Sequence, residues 1–371
     1  MRPEERDYDE NREERKARKA RERALKRKIL LIISSIVIVL AIIIVLVLVI
    51  LLKGRIDAEN NQIGSEAVTS LSMTYVGDKT VFSSSDENVT SNSSTNGSTE
   101  TEDLGPVPTI DISNVSSPDV YMVRVKDNAQ VLDQNSTARI YPASMTKIMT
   151  VLVAIEHIDD LSATYTFDGT EFNTAYAQGA ATAGFEAGET VPVLDILYGI
   201  MLPSGADACY AICNYVAGSE ADFVTLMNQK AQEIGMTSTN FVNATGLQDE
   251  NHYSTCQDMA KLLEYAVKNE TFKTIFSTHI YTTKATSVHS AGIALSSTTF
   301  VNLASSTLDN GATIVGGKTG YTDEAGHCLA SMATDANGVE YILVTAGAAG
   351  DVNATPHIND AVTIYSQLPA A

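Results

Sequence analysis

The sequence predicts an α+β fold: an antiparallel sheet with a helical cluster packed on it, preceded by one transmembrane helix. Three observations carry this. Strand-patterned segments lie early, near 120–132, and late, near 280–346, and the stretch between them, 144–267, carries the apolar spacing of helices. A chain so arranged closes one sheet with both of its ends and leaves the helices to cover it. Separately, residues 29–52 are apolar apart from Ser34 and Ser35 and carry no charge.

The first 28 residues hold 12 Lys/Arg and 8 Asp/Glu, a net charge of +4. From Arg12 to Lys28 they alternate Lys, Arg and Glu without an apolar face, which reads as a solvated topogenic tail rather than a partner-binding helix. The 24 residues of 29–52 exceed the roughly 20 that span a bilayer and are too long for the core of a cleaved signal peptide. Lys26-Arg27-Lys28 and the basic segment before them outweigh Lys53 and Arg55. The N-terminus is therefore expected in the cytoplasm, and everything from about residue 53 outside. Residues 53–117 are rich in Ser, Thr, Asn and acidic residues and read as a disordered stalk. Asn88 and Asn92 match glycosylation sequons, which polar runs also produce by chance. The folded domain is expected over 118–371. With a net charge of −20 overall, the chain after residue 28 carries −24. That charge repels phosphate backbones and sets nucleic acid aside as a partner.

Within the domain, 120–125 and 129–132 form a strand pair around the turn residues Asp127-Asn128. A buried helix follows over 144–157. Two more helices, 193–201 and 206–216, flank Leu202-Pro203-Ser204-Gly205, and an amphipathic one, 220–234, stops at Gly235. A helix over 255–267 leads into strands at 280–283, 313–315, 326–334 and 340–346, with a last helix over 360–367. Of the four cysteines, Cys209 and Cys213 are four apart on one predicted helix, a poor disulfide geometry, and no second pair completes a zinc site. All four read as free, buried thiols. No metal or cofactor is expected.

Ser144-Met145-Thr146-Lys147 opens an apolar run. On a helix, positions i and i+3 share a face, so the lysine amine reaches the serine oxygen. A lysine is protonated at neutral pH, but burial or a second cation lowers its pKa and makes it a base. The pair points to acyl-enzyme chemistry without histidine. Ser204-Gly-Ala-Asp207 lies between two helices and also suits a helix cap. Val315-Gly-Gly-Lys-Thr-Gly-Tyr321 places a lysine and a threonine among glycines. A phosphate-binding loop would need glycine at 312, where alanine stands, and a helix afterwards, where the pattern is strand-like. A Ser-His-Asp hydrolase is disfavoured by the absence of Gly-x-Ser-x-Gly.

Taken together, Ser-x-x-Lys, a second serine 60 positions on and Lys-Thr-Gly a further 114 on form the signature of penicillin-recognising serine enzymes. With the flanking Leu202–Cys209, Gly316–Leu329, Asn240–Leu247 and His252–Ala260 segments, residues 118–367 resemble the serine-type D-Ala-D-Ala carboxypeptidases, the low-molecular-weight penicillin-binding proteins. The resemblance implies a penicillin-binding, β-lactamase-like transpeptidase fold and a bacterial, membrane-anchored enzyme that removes the terminal D-alanine from peptidoglycan stem peptides. It implies Ser144 as nucleophile, Lys147 as general base and Ser204 as proton relay. Lys318, Thr319, Gly320 and Tyr321 would bind substrate, and the backbone N–H groups of Ser144 and Tyr321 would form the oxyanion hole. β-Lactams would acylate Ser144 as inhibitors.

Two departures stand out. Ala206 replaces the asparagine usual in the second motif, with Asp207 a partial substitute. No arginine follows Arg139, which leaves Lys318, Thr319, His289 or His357 to meet the substrate carboxylate. The family's second, all-β domain and C-terminal anchor are not expected here. A β-lactamase-like hydrolase is the alternative, although the segment Met236–Phe241 lacks the glutamate such enzymes use to deacylate. A catalytically weak protein that binds wall peptides is the third.

Overall fold

The structure, a computed structural model, describes residues 104–370. The basic tail, the apolar run 29–52 and the stalk up to residue 103 lie outside the described residues. Among the described residues, no helix is long and apolar enough to cross a membrane.

Strands β1 (Asp119–Arg124) and β2 (Ala129–Gln134) form the expected hairpin. A 3₁₀ turn, Ala143–Thr146, leads into helix α1 (Lys147–His157). Then come β3 (Thr164–Thr166), α2 (Thr170–Ala177), β4 (Thr190–Pro192), α3 (Val193–Met201), α4 (Ala206–Ala217), α5 (Glu220–Glu233), α6 (Cys256–Ala266) and α7 (Glu270–Phe276). Strands β5 (Ile280–Thr282), β6 (Ala294–Ser296), β7 (Thr313–Thr322), β8 (Gly326–Thr334) and β9 (Glu340–Ala348) precede α8 (Pro356–Tyr365).

The main sheet has the order β2-β1-β9-β8-β7, and every pairing is antiparallel. The first hairpin thus joins the last strands, as both-ends closure requires. Residues alternate across this sheet. Cys328, Ala330, Met332, Ile342 and Val344 face the helical core, and Leu329, Ala333, Tyr341 and Leu343 pack with Ile358, Ala361, Ile364 and Tyr365 of α8. Burial on both faces explains the unbroken apolar runs of β8 and β9. Helix α1 lies in the middle of the helical layer, with residues 147–154 all buried, as its all-round apolar sequence demands. Ser219, Thr255 and Asn269 cap α5, α6 and α7 through their side-chain oxygens.

Four expectations need adjusting. Ser144 sits in a 3₁₀ turn before α1 rather than in an α-helix. The strand expected over 313–315 runs on to Thr322, through the glycines. The strand expected over 280–283 pairs with β6 in a separate ribbon and does not join the main sheet. Residues 104–117, placed in the stalk, pack on the domain. Ile110 is buried in the α8 core, and the Ser116 and Ser117 N–H groups each donate to Asp360 at 2.8 Å. All four cysteines are buried and unbonded.

Candidate active site

Three backbone segments meet at Ser144. The turn that carries it begins with Ala143 at φ +45°, a left-handed conformation that costs an L-residue roughly 1–2 kcal/mol and collects at functional sites. Gly246 presses against this turn: a Cβ there would lie 1.8 Å from the Ala143 carbonyl oxygen, and its own φ is +80°. Only glycine fits. From the other side comes β7, the edge strand of the sheet. A Cβ on Gly320 would lie 3.0 Å from both the Ser144 nitrogen and the Ala143 Cβ. The Lys-Thr-Gly strand therefore lies directly against the backbone of the serine.

The Lys147 amine is 3.0 Å from Ser144 Oγ and donates to the Thr245 carbonyl at 2.6 Å. Its side chain is buried, and burial pulls its pKa below the ordinary lysine value. Lys318 is fully buried behind Thr319, to whose carbonyl it donates at 2.9 Å. Burial, and then the charge of Lys147, hold its pKa well below the ordinary value. Two lysines in one dry region cannot both stay charged cheaply, and burial disfavours the charged form of each. A neutral Lys147 still has an N–H for Thr245 and offers its lone pair to the Ser144 hydroxyl.

Ser144, Lys147, Ser204, Thr319, Gly320 and Tyr321 all line one cavity of about 760 Å³, a size usual for ligand sites. Lys318 is not in its lining. Ser204 is buried and, like Ala143, has a left-handed backbone, with φ +67°. Thr298 and Thr319 share a hydrogen bond at 2.7 Å on the cavity wall. Among the described residues, Asp323 is the one acidic residue in the lining, where it accepts from the Tyr321 hydroxyl at 2.9 Å.

Three sequence expectations sort out differently. Asp207 does not take the place of an amide beside Lys147. Its Oδ1 accepts the Ala183 N–H at 2.8 Å, and its Oδ2 is buried without a partner. Burial raises its pKa. His289 is bonded to Glu189 at 2.9 Å and does not line the cavity. His357 does line it, together with His327. The two rings stack at 5.0 Å, and His327 in turn contacts Tyr321 at 4.5 Å. Sequence reasoning missed the carbonyl of Thr245, although it singled out the segment that holds it.

A serine and a buried lysine at the head of a central helix, faced by a Lys-Thr-Gly edge strand, place the molecule in the penicillin-binding DD-peptidase fold, a class of serine hydrolases. The comparisons agree. Residues 112–350 match the family described as D-alanyl-D-alanine carboxypeptidase, and the chain belongs to that family. It is 34% identical over 226 residues to the D-alanyl-D-alanine carboxypeptidase DacF of Bacillus subtilis, covering 60% of this chain and 55% of that one. It is 32% identical over 209 residues to DacA of Escherichia coli, covering 55% of this chain and 49% of that one. The chain thus spans about half the length of these relatives. The crystal structure of the Streptomyces K15 DD-transpeptidase superimposes with a TM-score of 0.61 at 28% identity, covering 68% of this chain and 97% of that one.

Proposed function

We propose that this protein is a serine D-Ala-D-Ala carboxypeptidase that removes the terminal D-alanine from peptidoglycan stem peptides. The observation that carries the reading is the Lys147 amine, buried and 3.0 Å from Ser144 Oγ. Lys147 takes the Ser144 proton as the oxygen attacks the carbonyl between the two D-alanines. The tetrahedral oxyanion is held by the N–H groups of Ser144 and Tyr321. Ser204 passes a proton to the leaving D-alanine nitrogen, the acyl-enzyme forms on Ser144, and water hydrolyses it. Thr319 holds the substrate carboxylate, with His357 as a second donor in the same cavity. Lys318 lies buried behind the strand, its own pKa held down by burial and by the charge of Lys147, and Gly320 lets that strand approach. A β-lactam acylates Ser144 by the same route and so inhibits the enzyme.

The apolar run 29–52 anchors the chain as a single membrane span, with the N-terminus in the cytoplasm and the catalytic domain outside. Residues 53–103, rich in Ser, Thr, Asn and acidic side chains, connect that span to the domain.

The test is D-alanine release from diacetyl-Lys-D-Ala-D-Ala by the full chain. Steady release is expected. Rapid nitrocefin hydrolysis without peptide turnover would favour a β-lactamase instead.

A further inference from the structure

His252 takes no part in the chemistry above, yet it joins the segments that set the position of Lys147. It is buried, and its ring meets Phe241 edge-on at 5.6 Å. The Val242 N–H donates to its Nδ1 at 3.1 Å, so that nitrogen carries the lone pair. The proton of a neutral ring is then on Nε2, which lies 2.7 Å from Thr146 Oγ1 and donates to it. Thr146 is fully buried and immediately precedes Lys147. Val242 opens the loop whose Thr245 carbonyl binds the lysine amine. The chain that follows His252 is stitched to the same region: Tyr253 pairs with Asn240 and Ser254 with Ile140.

We propose that His252, as a neutral imidazole, is a positioning residue for Lys147. It ties the Ser144–Lys147 turn to the Val242–Gly246 loop and so fixes the amine between the Ser144 hydroxyl and the Thr245 carbonyl. The proposal rests on Lys147 acting as the base for Ser144.

The surroundings keep the ring neutral. Its pKa is lowered to about 4, chiefly by burial; Asp249 on its own segment opposes this, and Lys147 on the turn adds to the lowering. Loop 241–247 contributes no charge. Arg139 is bonded to the Glu250 carbonyl and stacked on Tyr253. A second ring proton would face the Val242 N–H donor to donor and break the link.

The experiment is the second-order rate at which a fluorescent penicillin acylates the full chain, followed from pH 5 to 10, with Tm measured alongside. His252→Asn keeps an acceptor for Val242 and loses the donor to Thr146. Thr146→Val loses the same link from the other side. In either variant, a loosened Lys147 regains solvation and its pKa climbs. The acidic limb of the profile is then expected to move up by about one pH unit, with the rate at pH 7 down about tenfold. The double variant is expected to show no further shift, because both changes cut one path. If His252→Asn does not fold, Thr146→Val reports alone. A lower Tm with an unmoved acidic limb in the folded variants would overturn the proposal and leave His252 a structural residue. Absence of acylation in the unmodified chain would instead overturn the reading of Ser144 and Lys147 on which it rests.

Discussion

The Lys147 amine and the Thr245 carbonyl, 98 residues apart in sequence, are 2.6 Å apart in space. That contact turns the lysine toward Ser144 and uses up one amine N–H, which leaves the lone pair for the serine proton. The resemblance implies a side-chain amide for this lysine from position 206, which alanine cannot supply. Ala206 offers only a methyl group to the cavity, and a backbone carbonyl holds the lysine.

Loss of the amine follows directly. Lys147→Ala is expected to slow acylation by about 10²–10⁴-fold, the usual worth of a positioned general base. Because burial lowers the lysine pKa, the unmodified enzyme gains activity as pH rises through that lowered value and loses it below. The pH dependence of penicillin acylation checks both points. An alanine variant with an unchanged rate would remove Lys147 from the mechanism.

The close approach at Gly320 gives a second expectation. A methyl group there would sit 3.0 Å from the Ser144 nitrogen, tighter than ordinary contacts, and would push β7 away from the serine. Gly320→Ala is expected to lower the acylation rate by about tenfold or more, consistent with losing part of an oxyanion donor set. Stopped-flow acylation measures this, and a wild-type rate would contradict it.

His357 concerns substrate affinity. Its Nδ1 is buried without a partner, and its pKa is lowered to about 4 by burial, then by His327 and Lys318. A carboxylate bound beside it would draw a proton onto the ring, so the peptide KM should fall as pH is lowered from 7 toward 5. His357→Gln is expected to raise KM several-fold with kcat nearly unchanged, within the range of one charge-assisted hydrogen bond. An unchanged KM would leave the carboxylate to Thr319 alone.

Stability should also depend on pH in a set direction. His252 and His357 have folded pKa values of about 4 against 6.5 when unfolded. Between those values the unfolded chain binds more protons, so stability is lost as pH falls from about 6.5 toward 4. Asp207 acts in the opposite sense: its raised pKa makes the folded state less favourable once pH exceeds the unfolded value. Asp207→Asn keeps an acceptor for Ala183 and is expected to raise Tm at pH 7. Calorimetry across pH 4–8 tests both trends.

Much of the site is visible in the sequence because side-chain chemistry leaves a pattern. Ser144, Lys147, Ser204 and Thr319 stand at recognisable spacings, and the structure brings them to one cavity. Thr245 was invisible because it contributes a carbonyl, which every residue has. The length of β7 was underestimated because Gly316, Gly317 and Gly320 weaken the strand pattern, although their small size is what the packing requires. Strands β3, β4 and β6 are three residues each, too short for periodicity to register. The packed segment 104–117 looks like stalk by composition. Its order depends on distant partners, Asp360 for Ser117 and Gln367 for Asp111, that local sequence does not reveal.

The most direct test of the account is to find which residue a penicillin modifies. The full chain is incubated with penicillin, digested and mapped by mass spectrometry, beside Ser144→Ala. One penicilloyl group on the peptide that contains Ser144, and none on the variant, is the predicted result. An adduct on another residue, or one that persists in Ser144→Ala, would contradict the assignment of Ser144 as the nucleophile.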